Sequence, residues 1–266
     1  MAIGAYTTAI LSVNYGVGEY WTIPAAGVIS GAIGFAFGFP ALRLSGHYLA
    51  LATFALSIAI VSVAKRFDHF TGGTPGKVLK LPSSPLGGLS AEVWLYYLTG
   101  TIAIILFGLV WLLLRGRVGL SLRALRDAPI AATAFGVSLA RFKTLAFALS
   151  AFYAGVAGAL LAIAIAFVNP DAFPVSLSIL LLTGAVVGGL GSLGGMLFGA
   201  LFIEFVPLWT QDVNKSAPTV FYGLTLIIVL LVMPRGAAGL VAALRQSSRR
   251  YVTDPWGAYR RESRSG

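Results

Sequence analysis

The chain has 266 residues, of which 58% are hydrophobic and 11% charged, and its mean hydropathy is +0.87. This composition leaves too little polar surface for a soluble fold of this length, so it excludes a soluble globular protein. Lysine and arginine outnumber aspartate and glutamate by 19 to 9. In a membrane chain such an excess reports orientation rather than nucleic-acid binding. The chain has no cysteine, which excludes disulfides and thiolate chemistry.

The apolar residues fall into eight blocks, several near the roughly 20 residues that a helix needs to cross about 30 Å of hydrocarbon. The blocks are 1–13, 21–42, 47–65, 95–114, 142–167, 174–190, 195–210 and 217–233. They predict an all-α, polytopic membrane protein whose transmembrane domain covers 1–240 and whose basic tail covers 241–266. The first block is short for a complete crossing, and we expect it to be a half-helix or a truncated element.

Basic residues concentrate in alternate loops. A polar loop rich in glycine and proline covers about 66–92, and a basic stretch covers about 115–143. The loop set that contains 115–143 and the tail carries 14 of the lysines and arginines, and the other set carries five. The positive-inside rule therefore predicts a cytoplasmic basic stretch and C-terminus, with 66–92 outside. We expect a solvated tail, with binding to anionic headgroups as the alternative.

Two patterns superficially resemble catalytic or nucleotide sites and fail on inspection. Residues 71–77 read Thr-Gly-Gly-Thr-Pro-Gly-Lys, but a phosphate loop needs Gly and Ser or Thr where Thr71 and Val78 stand. A serine-hydrolase triad is not supported, since a predicted span separates His47 from His69 and neither lies near a nucleophile elbow. No catalytic residue, metal site or cofactor is predicted in this chain.

Seven glycines lie within 184–199. The pairs Gly184/Gly188 and Gly195/Gly199 have the four-residue spacing that lets helices pack closely. The cluster within 188–195 is a poor helix interior, and broken helices line the solute path of many transporters. Both roles stay open for the candidate residues of this segment, which are Gly188, Gly189, Gly191, Ser192 and Gly194.

Small residues also recur at four-residue spacing in two other predicted helices. They are Gly27 with Gly31, Gly34 with Gly38, and Ala151 with Gly155 and Ala159. Packing is the predicted role of these faces. Glu204 is the main acidic side chain inside an apolar block, and it faces either a cavity or partner, or the membrane interface.

The segment 121–137 predicts one or two short helices between spans. Ser121 can cap the first helix, Asp127 with Pro129 can open the second, and Gly136 can close it. Faces that mix small and apolar residues suit docking into a groove of a soluble partner. A linker helix on the membrane surface is the alternative.

Four motifs resemble the branched-chain amino acid permease subunits of bacterial ATP-binding-cassette importers. The stretch 42–53, Leu-Arg-Leu-Ser-Gly-His-Tyr-Leu-Ala-Leu-Ala-Thr, is similar to the Arg-Gly-x-Tyr-Leu-Ala stretch of that family. Thr71-Gly72-Gly73 with Gly76 resembles the outer loop of the family. Residues 188–192 resemble its late glycine-rich segment, and residues 233–236 resemble its closing motif. The resemblance covers almost the whole chain. Further candidates for the pathway or for helix packing are Gly4, Tyr6, Tyr48, Thr53 and Glu204.

The resemblance implies that a loop at 121–143 contacts an ATPase. The general pattern of that loop is Glu-Ala-Ala with a later Gly, and this chain has Ile130 in place of the Glu. The coupling candidates are therefore Arg123, Arg126, Asp127, Ala131, Ala132 and Gly136. Family members usually begin with a complete span and a broken helix before the Gly-Ala-Tyr found here at 4–6. We therefore expect a fragment, a misplaced start or a partner-dependent variant.

The implied assembly is an importer in the bacterial cytoplasmic (inner) membrane. Its partners are a second permease subunit, two cytoplasmic ATPase subunits that carry ATP and Mg, and an external solute-binding protein. The expected cargo is a branched-chain or related amino acid, and urea, short amides or a sugar are the alternatives. An ion-coupled secondary carrier and a non-transporting scaffold are alternatives of other classes, although a single Glu204 argues weakly against proton coupling.

Overall fold

A computed structural model describes residues 1–41, 47–79, 90–189, 191–210 and 223–224. The described chain is almost entirely helical and divides into two compact units, Met1–Pro174 and Val175–Gly266. The predicted block 217–233, apart from Gly223 and Leu224, and the predicted tail 241–266 lie outside the described residues. The all-α, polytopic membrane architecture is confirmed, whereas the count of eight membrane segments is not.

The first unit contains helices and two very short strands. The helices are α1 (Ala2–Tyr15), α2 (Glu19–Ala41), α3 (His47–Arg66), α4 (Asp68–Thr71), α5 (Ala91–Arg115), α6 (Arg117–Asp127), α7 (Pro129–Ala134) and α8 (Leu139–Ile165). The strands are β1 (Lys77–Val78) and β2 (Phe167–Val168), and a 3₁₀ helix follows at Pro170–Ala172. The second unit, within its described residues, contains α9 (Val175–Gly188) and α10 (Leu193–Thr210).

Four described stretches are long and apolar enough to cross a membrane. They are Glu19–Pro40, Ala91–Arg115, Leu139–Ile165 and Pro170–Gly188. The apolar part of α10, Leu193–Phe205, is shorter. Helix α1 has only 14 residues, or about 21 Å at 1.5 Å per residue, so it is too short for a complete crossing. Side-chain hydroxyls of Ser90 and Ser138 cap the first turns of α5 and α8.

The core of the first unit depends on close contact between α2 and α8. A Cβ atom added at Gly27 would lie 2.7 Å from Val156 Cγ2, and one at Gly31 would lie 3.3 Å from Phe152 Cβ. A Cβ atom at Gly34 would overlap that of Ala151. In a bilayer, van der Waals contact of this kind replaces the hydrophobic driving force between helices. The predicted packing role of these small faces is confirmed.

Helix α5 joins this core along one face only. Its Leu95 belongs to a buried cluster with Ile23 and Ala26 of α2 and Val156 of α8. Leu98, Ile102 and Leu106, at helical spacing, pack against the same cluster. The remaining surface of α5 is exposed within the described part of the chain, as expected for a helix that faces lipid or another subunit.

The predicted irregular loop at 66–92 contains more structure than the sequence indicated. Helix α4 follows α3 almost directly, and β1 pairs antiparallel with β2 in the register Lys77↔Val168 and Val78↔Phe167. Leu79 N–H also donates to Ala166 O at 2.8 Å. We call residues 67–79 with 166–173 the strand cap.

Glycines give the strand cap its compact turn. Gly72, Gly73 and Gly76 have φ values of +78°, +59° and +76°, in the left-handed region that other residues rarely adopt. The Thr71 hydroxyl donates to Ala64 O at 2.6 Å and accepts from Gly73 N–H at 3.2 Å. The motif first noted for its likeness to a phosphate loop therefore has a structural role in the described cap.

Candidate functional site

Helices α6 and α7 form a connector between the spanning helices α5 and α8. Gly116 is the N-cap of α6, and the backbone breaks at Ala128, where φ is −148° and ψ is 77°. Pro129 opens α7 as predicted. The predicted cap at Ser121 is wrong, because α6 begins directly after α5 and places Ser121 inside the helix, where its hydroxyl donates to Arg117 O at 3.1 Å.

Gly136 ends α7 in a Schellman motif. Its φ is +84°, its N–H donates to Thr133 O, and Val137 N–H donates to Ala132 O, both at 3.0 Å. A Cβ atom at Gly136 would meet no other atom within 4 Å. Glycine is therefore favoured here by backbone conformation and not by lack of space.

The charged coupling candidates make local contacts. Arg126 Nε donates to Asp127 Oδ1 at 2.9 Å, and both side chains are exposed. Such a surface pair contributes about 0–1 kcal/mol. Arg123 Nη2 donates to Leu114 O at 3.2 Å, which directs this side chain toward the end of α5. Of the paired alanines, Ala132 is buried and Ala131 is exposed.

Two large apolar side chains on the connector were not singled out as contact residues from the sequence. Ile130 is 86% exposed and Phe135 is 88% exposed. We call these two residues the connector patch. Ile130 was considered only as a replacement for a family glutamate. The signal that could have found both residues is the presence of bulky apolar side chains within 126–136, a stretch that otherwise contains only small and charged residues and a proline.

The glycine-rich segment forms the turn between α9 and α10. A Cβ atom at Gly188 would overlap the Gly195 carbonyl, and one at Gly199 would overlap the Gly184 carbonyl. The helix break predicted within 188–195 is confirmed. Packing is therefore an observed role of these glycines.

The residues of the turn itself differ in environment. Gly189 and Gly191 have φ values of +105° and +94°, and the Ser192 hydroxyl accepts from Gly195 N–H at 3.2 Å at the start of α10. A Cβ atom at Gly194 would meet no atom within 4 Å. Glu204 lies on α10 with an exposed side chain.

The candidates of the first unit lie on α1 and α3. A Cβ atom at Gly4 would overlap the backbone of Gly155. Tyr6 is buried in a cluster with Ala5, Ala9, Ala64, Leu79, Ala162 and Val168. Tyr48 is exposed in the first turn of α3, and Thr53 is half-buried one turn later.

Three buried hydroxyls, those of Tyr6, Thr8 and Ser30, have no hydrogen-bond partner within the described residues. Sequence analysis did not single out Thr8 or Ser30. A buried hydroxyl without a partner carries a desolvation cost of about 1–3 kcal/mol.

Polar contacts attach the strand cap to its neighbours. Lys65 Nζ and Asp171 Oδ1 lie 2.7 Å apart, and Lys77 Nζ donates to Asn14 Oδ1 at 2.6 Å. Partial burial lowers the pKa of the Lys77 ammonium. Among the described residues, no group of three or more His, Cys, Asp or Glu side chains could hold a metal ion.

Comparison with known families decides the class of this helical membrane protein. The family model described as "Branched-chain amino acid transport system / permease component" matches residues 1–233. The chain belongs to this family. The resemblance inferred from the sequence motifs is thereby confirmed, and the match spans α1 to α10, including the connector and the glycine-rich turn.

Individual relatives carry the same family description. The permease protein LivM of the high-affinity branched-chain amino acid transport system of Salmonella typhimurium is 31% identical, with 88% of this chain and 61% of LivM covered. LivM of Escherichia coli is 30% identical with the same coverage. The probable branched-chain amino acid transport permease protein LivH of Methanocaldococcus jannaschii is 27% identical, over 90% of this chain and 80% of LivH.

The chain thus spans about three fifths of the length of the LivM relatives. No solved structure gives a significant match. The roles of individual residues in this family member therefore rest on its own geometry.

Proposed function

We propose that this chain is the membrane-spanning subunit of an ATP-binding-cassette importer for branched-chain amino acids. It lies in the bacterial inner membrane with its C-terminus in the cytoplasm. Its partners are a second permease subunit, two ATPase subunits that bind ATP and Mg, and an external solute-binding protein. The chain itself is not an enzyme, because hydrolysis takes place in the ATPase subunits. The observation that carries the proposal is the connector, whose exposed patch lies between two spanning helices.

The connector packs against both of the spanning helices that it joins. Gly119 of α6 packs so closely on α5 that a Cβ atom there would overlap the backbone of Leu114. Leu125 of α6 is also buried, and α6 contacts α8 as well as α5. A partner that pushes on the connector therefore acts on both spanning helices together. This coupling suits alternating access, in which helices rock about a solute path.

The connector patch consists of two large, exposed apolar side chains. Burial of a large apolar side chain from water contributes roughly 1.5–3 kcal/mol. Ile130 and Phe135 forgo nearly all of this stabilisation in the isolated chain, because both are more than four-fifths exposed. A short helix with apolar anchors is a common ligand for a hydrophobic groove. The ATPase subunit is the partner that supplies this groove in the proposed assembly.

Charge supports the orientation. Among the described residues, Arg115, Arg117, Arg123, Arg126, Arg141 and Lys143 surround the connector. The opposite side carries fewer described basic residues: Lys65 and Arg66 end α3, Lys77 lies in the strand cap, and α5 has no lysine or arginine in its first turns. An excess of arginine and lysine marks the cytoplasmic side. The ATPases would therefore meet the connector, and the solute-binding protein would meet the side of the strand cap.

The cargo is inferred from the relatives, whose names specify branched-chain amino acid transport. Urea, short amides and sugars are the competing cargoes on the same fold. Vesicle uptake with labelled leucine, urea and a sugar would separate them. Leucine should be taken up, and the other two solutes should not compete with it.

Association with the ATPase subunits tests the connector directly. We expect Ile130→Asp combined with Phe135→Asp to weaken co-purification with the ATPase at least tenfold, because two apolar anchors are replaced by charges. Val78→Asp is the matched control, since Val78 is 73% exposed but lies in β1, away from the connector. Undiminished association of the double variant would exclude the connector as the docking surface. Ion-driven uptake without any ATPase would favour a secondary carrier.

A further inference from the structure

Three arginines gather at the C-terminal end of α5. The guanidinium carbon of Arg115 lies 3.6 Å from the centroid of the Trp111 ring. Arg117 begins α6 one residue after Gly116, and Arg123 reaches back to donate to Leu114 O at 3.2 Å. We call Arg115, Arg117 and Arg123 the arginine cluster.

The positive charge of the arginine cluster is not compensated. Within the part of the chain that the structure describes, none of the three forms a salt bridge, and the adjacent Asp127 is paired with Arg126. The C-terminus of α5 contributes the equivalent of about half a negative charge, against three positive ones. All three side chains are exposed. An anion that accepts charge-assisted hydrogen bonds from more than one arginine therefore fits this end of the helix.

The surroundings of the cluster are apolar. Trp111, Leu112 and Leu120 are exposed beside it, at 46%, 65% and 70%. Seventeen residues separate Trp94 from Trp111 on α5, about 26 Å at 1.5 Å per residue, close to the thickness of the hydrocarbon core. Tryptophan prefers the two membrane interfaces. Arg115, one turn beyond Trp111, then lies at the depth of lipid headgroups.

We propose that the arginine cluster binds one anionic phospholipid. Its phosphate lies between Arg115 and Arg117, its charge is further balanced by Arg123, and an acyl chain runs along the exposed face of α5 past Trp111 and Leu112. The planar guanidinium fork suits bidentate contact with phosphate oxygens. The ring of Trp111 holds Arg115 by a cation–π contact, with the guanidinium carbon 3.6 Å from the ring centroid. This inference depends on α5 crossing the membrane and not on the cargo or the ATPase.

Native mass spectrometry of the purified full chain tests the site. The chain is titrated with phosphatidylglycerol and with phosphatidylcholine of the same acyl chains. We expect one phosphatidylglycerol to be retained in preference to phosphatidylcholine, and its affinity to fall at least tenfold in Arg115→Gln with Arg117→Gln. The matched control is Arg141→Gln with Lys143→Gln, which removes the same charge from the start of α8 and should change the affinity less than about twofold.

Three outcomes would overturn the proposal. An equal loss in both double variants would show diffuse attraction to positive charge, and an unchanged affinity in Arg115→Gln with Arg117→Gln would show that no site exists there. Reduced ATPase co-purification with unchanged lipid affinity would assign the cluster to a protein partner. If the double variant does not fold, Arg117→Gln alone gives the same comparison, since the Arg117 side chain forms no hydrogen bond or salt bridge within the described residues.

Discussion

Hydroxyl groups in the apolar interior of this chain mostly hydrogen-bond to their own helix. Thr7, Thr144 and Thr183 each donate to the carbonyl oxygen four residues earlier, at 2.8–2.9 Å. This arrangement satisfies the hydroxyl without a second helix. The hydroxyls of Tyr6 and Thr8 depart from it, because neither has a partner within the described residues. The family resemblance named Tyr6, but no sequence pattern shows whether a buried hydroxyl is paired.

Tyr6→Phe tests whether the buried Tyr6 hydroxyl contributes to the stability of the fold. Because the hydroxyl is buried without a partner, we expect its removal to leave the melting temperature of the detergent-solubilised chain unchanged or higher. Tyr6→Ala is the control for lost ring packing and should destabilise by about 3–5 kcal/mol. A clear drop in melting temperature for Tyr6→Phe would show that the hydroxyl has a stabilising partner.

The residue scale also shows which sequence predictions fail. The predicted roles of Pro129 at the start and Gly136 at the end of α7 are confirmed, because the backbone preferences of proline and glycine are strong and local. Ser121 was misplaced because a serine suits a cap and a helix interior alike, and the choice depends on where α5 ends. The exposure of Ile130 and Phe135 was missed because it is a property of the folded chain.

Helix pairs in this protein are held by close backbone approach. Gly155 of α8 lies against α2 so closely that a Cβ atom would overlap Ser30 and lie 2.8 Å from Ala26 O. Gly108 of α5 is also a mid-helix glycine, but a Cβ atom there would meet nothing within 4 Å. The two glycines therefore provide a matched pair of positions for measuring how much close helix packing contributes to stability.

We expect Gly155→Ala to destabilise the protein by about 1–3 kcal/mol, because the added methyl group overpacks the contact between α2 and α8. Gly108→Ala should be neutral or slightly stabilising, since alanine favours the helix by up to about 1 kcal/mol. Melting temperatures measured by size-exclusion chromatography after heating compare the two variants. Similar effects at both positions would contradict the packing role of Gly155.

The element scale is where the sequence was most informative. Each predicted block from 1–13 to 195–210 matches a helix within four residues at both ends, because the length of an apolar run is a direct requirement of the bilayer. The pairing of β1 with β2 was not predictable. Each strand has two residues, and about 90 residues of sequence separate the two strands. No local sequence pattern therefore determines the register in which they pair.

At the scale of the whole molecule, the proposed sidedness places β1 and α7 on opposite faces of the membrane. The chain has no cysteine, so single-cysteine variants give an unambiguous signal. Val78 and Ile130 are both exposed, and α5 lies between them in sequence. They are suitable positions for labelling from either side.

In intact cells, a membrane-impermeant maleimide should label Val78→Cys and not Ile130→Cys, because arginine and lysine concentrate on the connector side. After permeabilisation both variants should react. Labelling of Ile130→Cys alone in intact cells would reverse the orientation, and labelling of both there would contradict α5 as a spanning helix.

The family and the helical architecture could be predicted from the sequence because both are encoded in run lengths and local motifs. The resemblance implied an assembly, but the surfaces that its partners would contact could not be predicted, since exposure depends on how distant parts of the chain pack. In the glycine-rich segment, Gly188 packs against the Gly195 carbonyl while Gly194 has open space around it. The four-residue spacing of Gly184 and Gly188 predicted packing for Gly188, but no spacing pattern predicted the open space around Gly194.

Leucine uptake into proteoliposomes tests the central claim most directly. The vesicles contain this chain, its second permease subunit and the ATPase subunits, and the solute-binding protein is added outside. We predict uptake that requires ATP and all partners, and that is lost when Ile130→Asp and Phe135→Asp are combined while Val78→Asp still assembles with the ATPase. Leucine uptake that proceeds without ATP, or an assembled complex that hydrolyses ATP and moves no leucine, would contradict it.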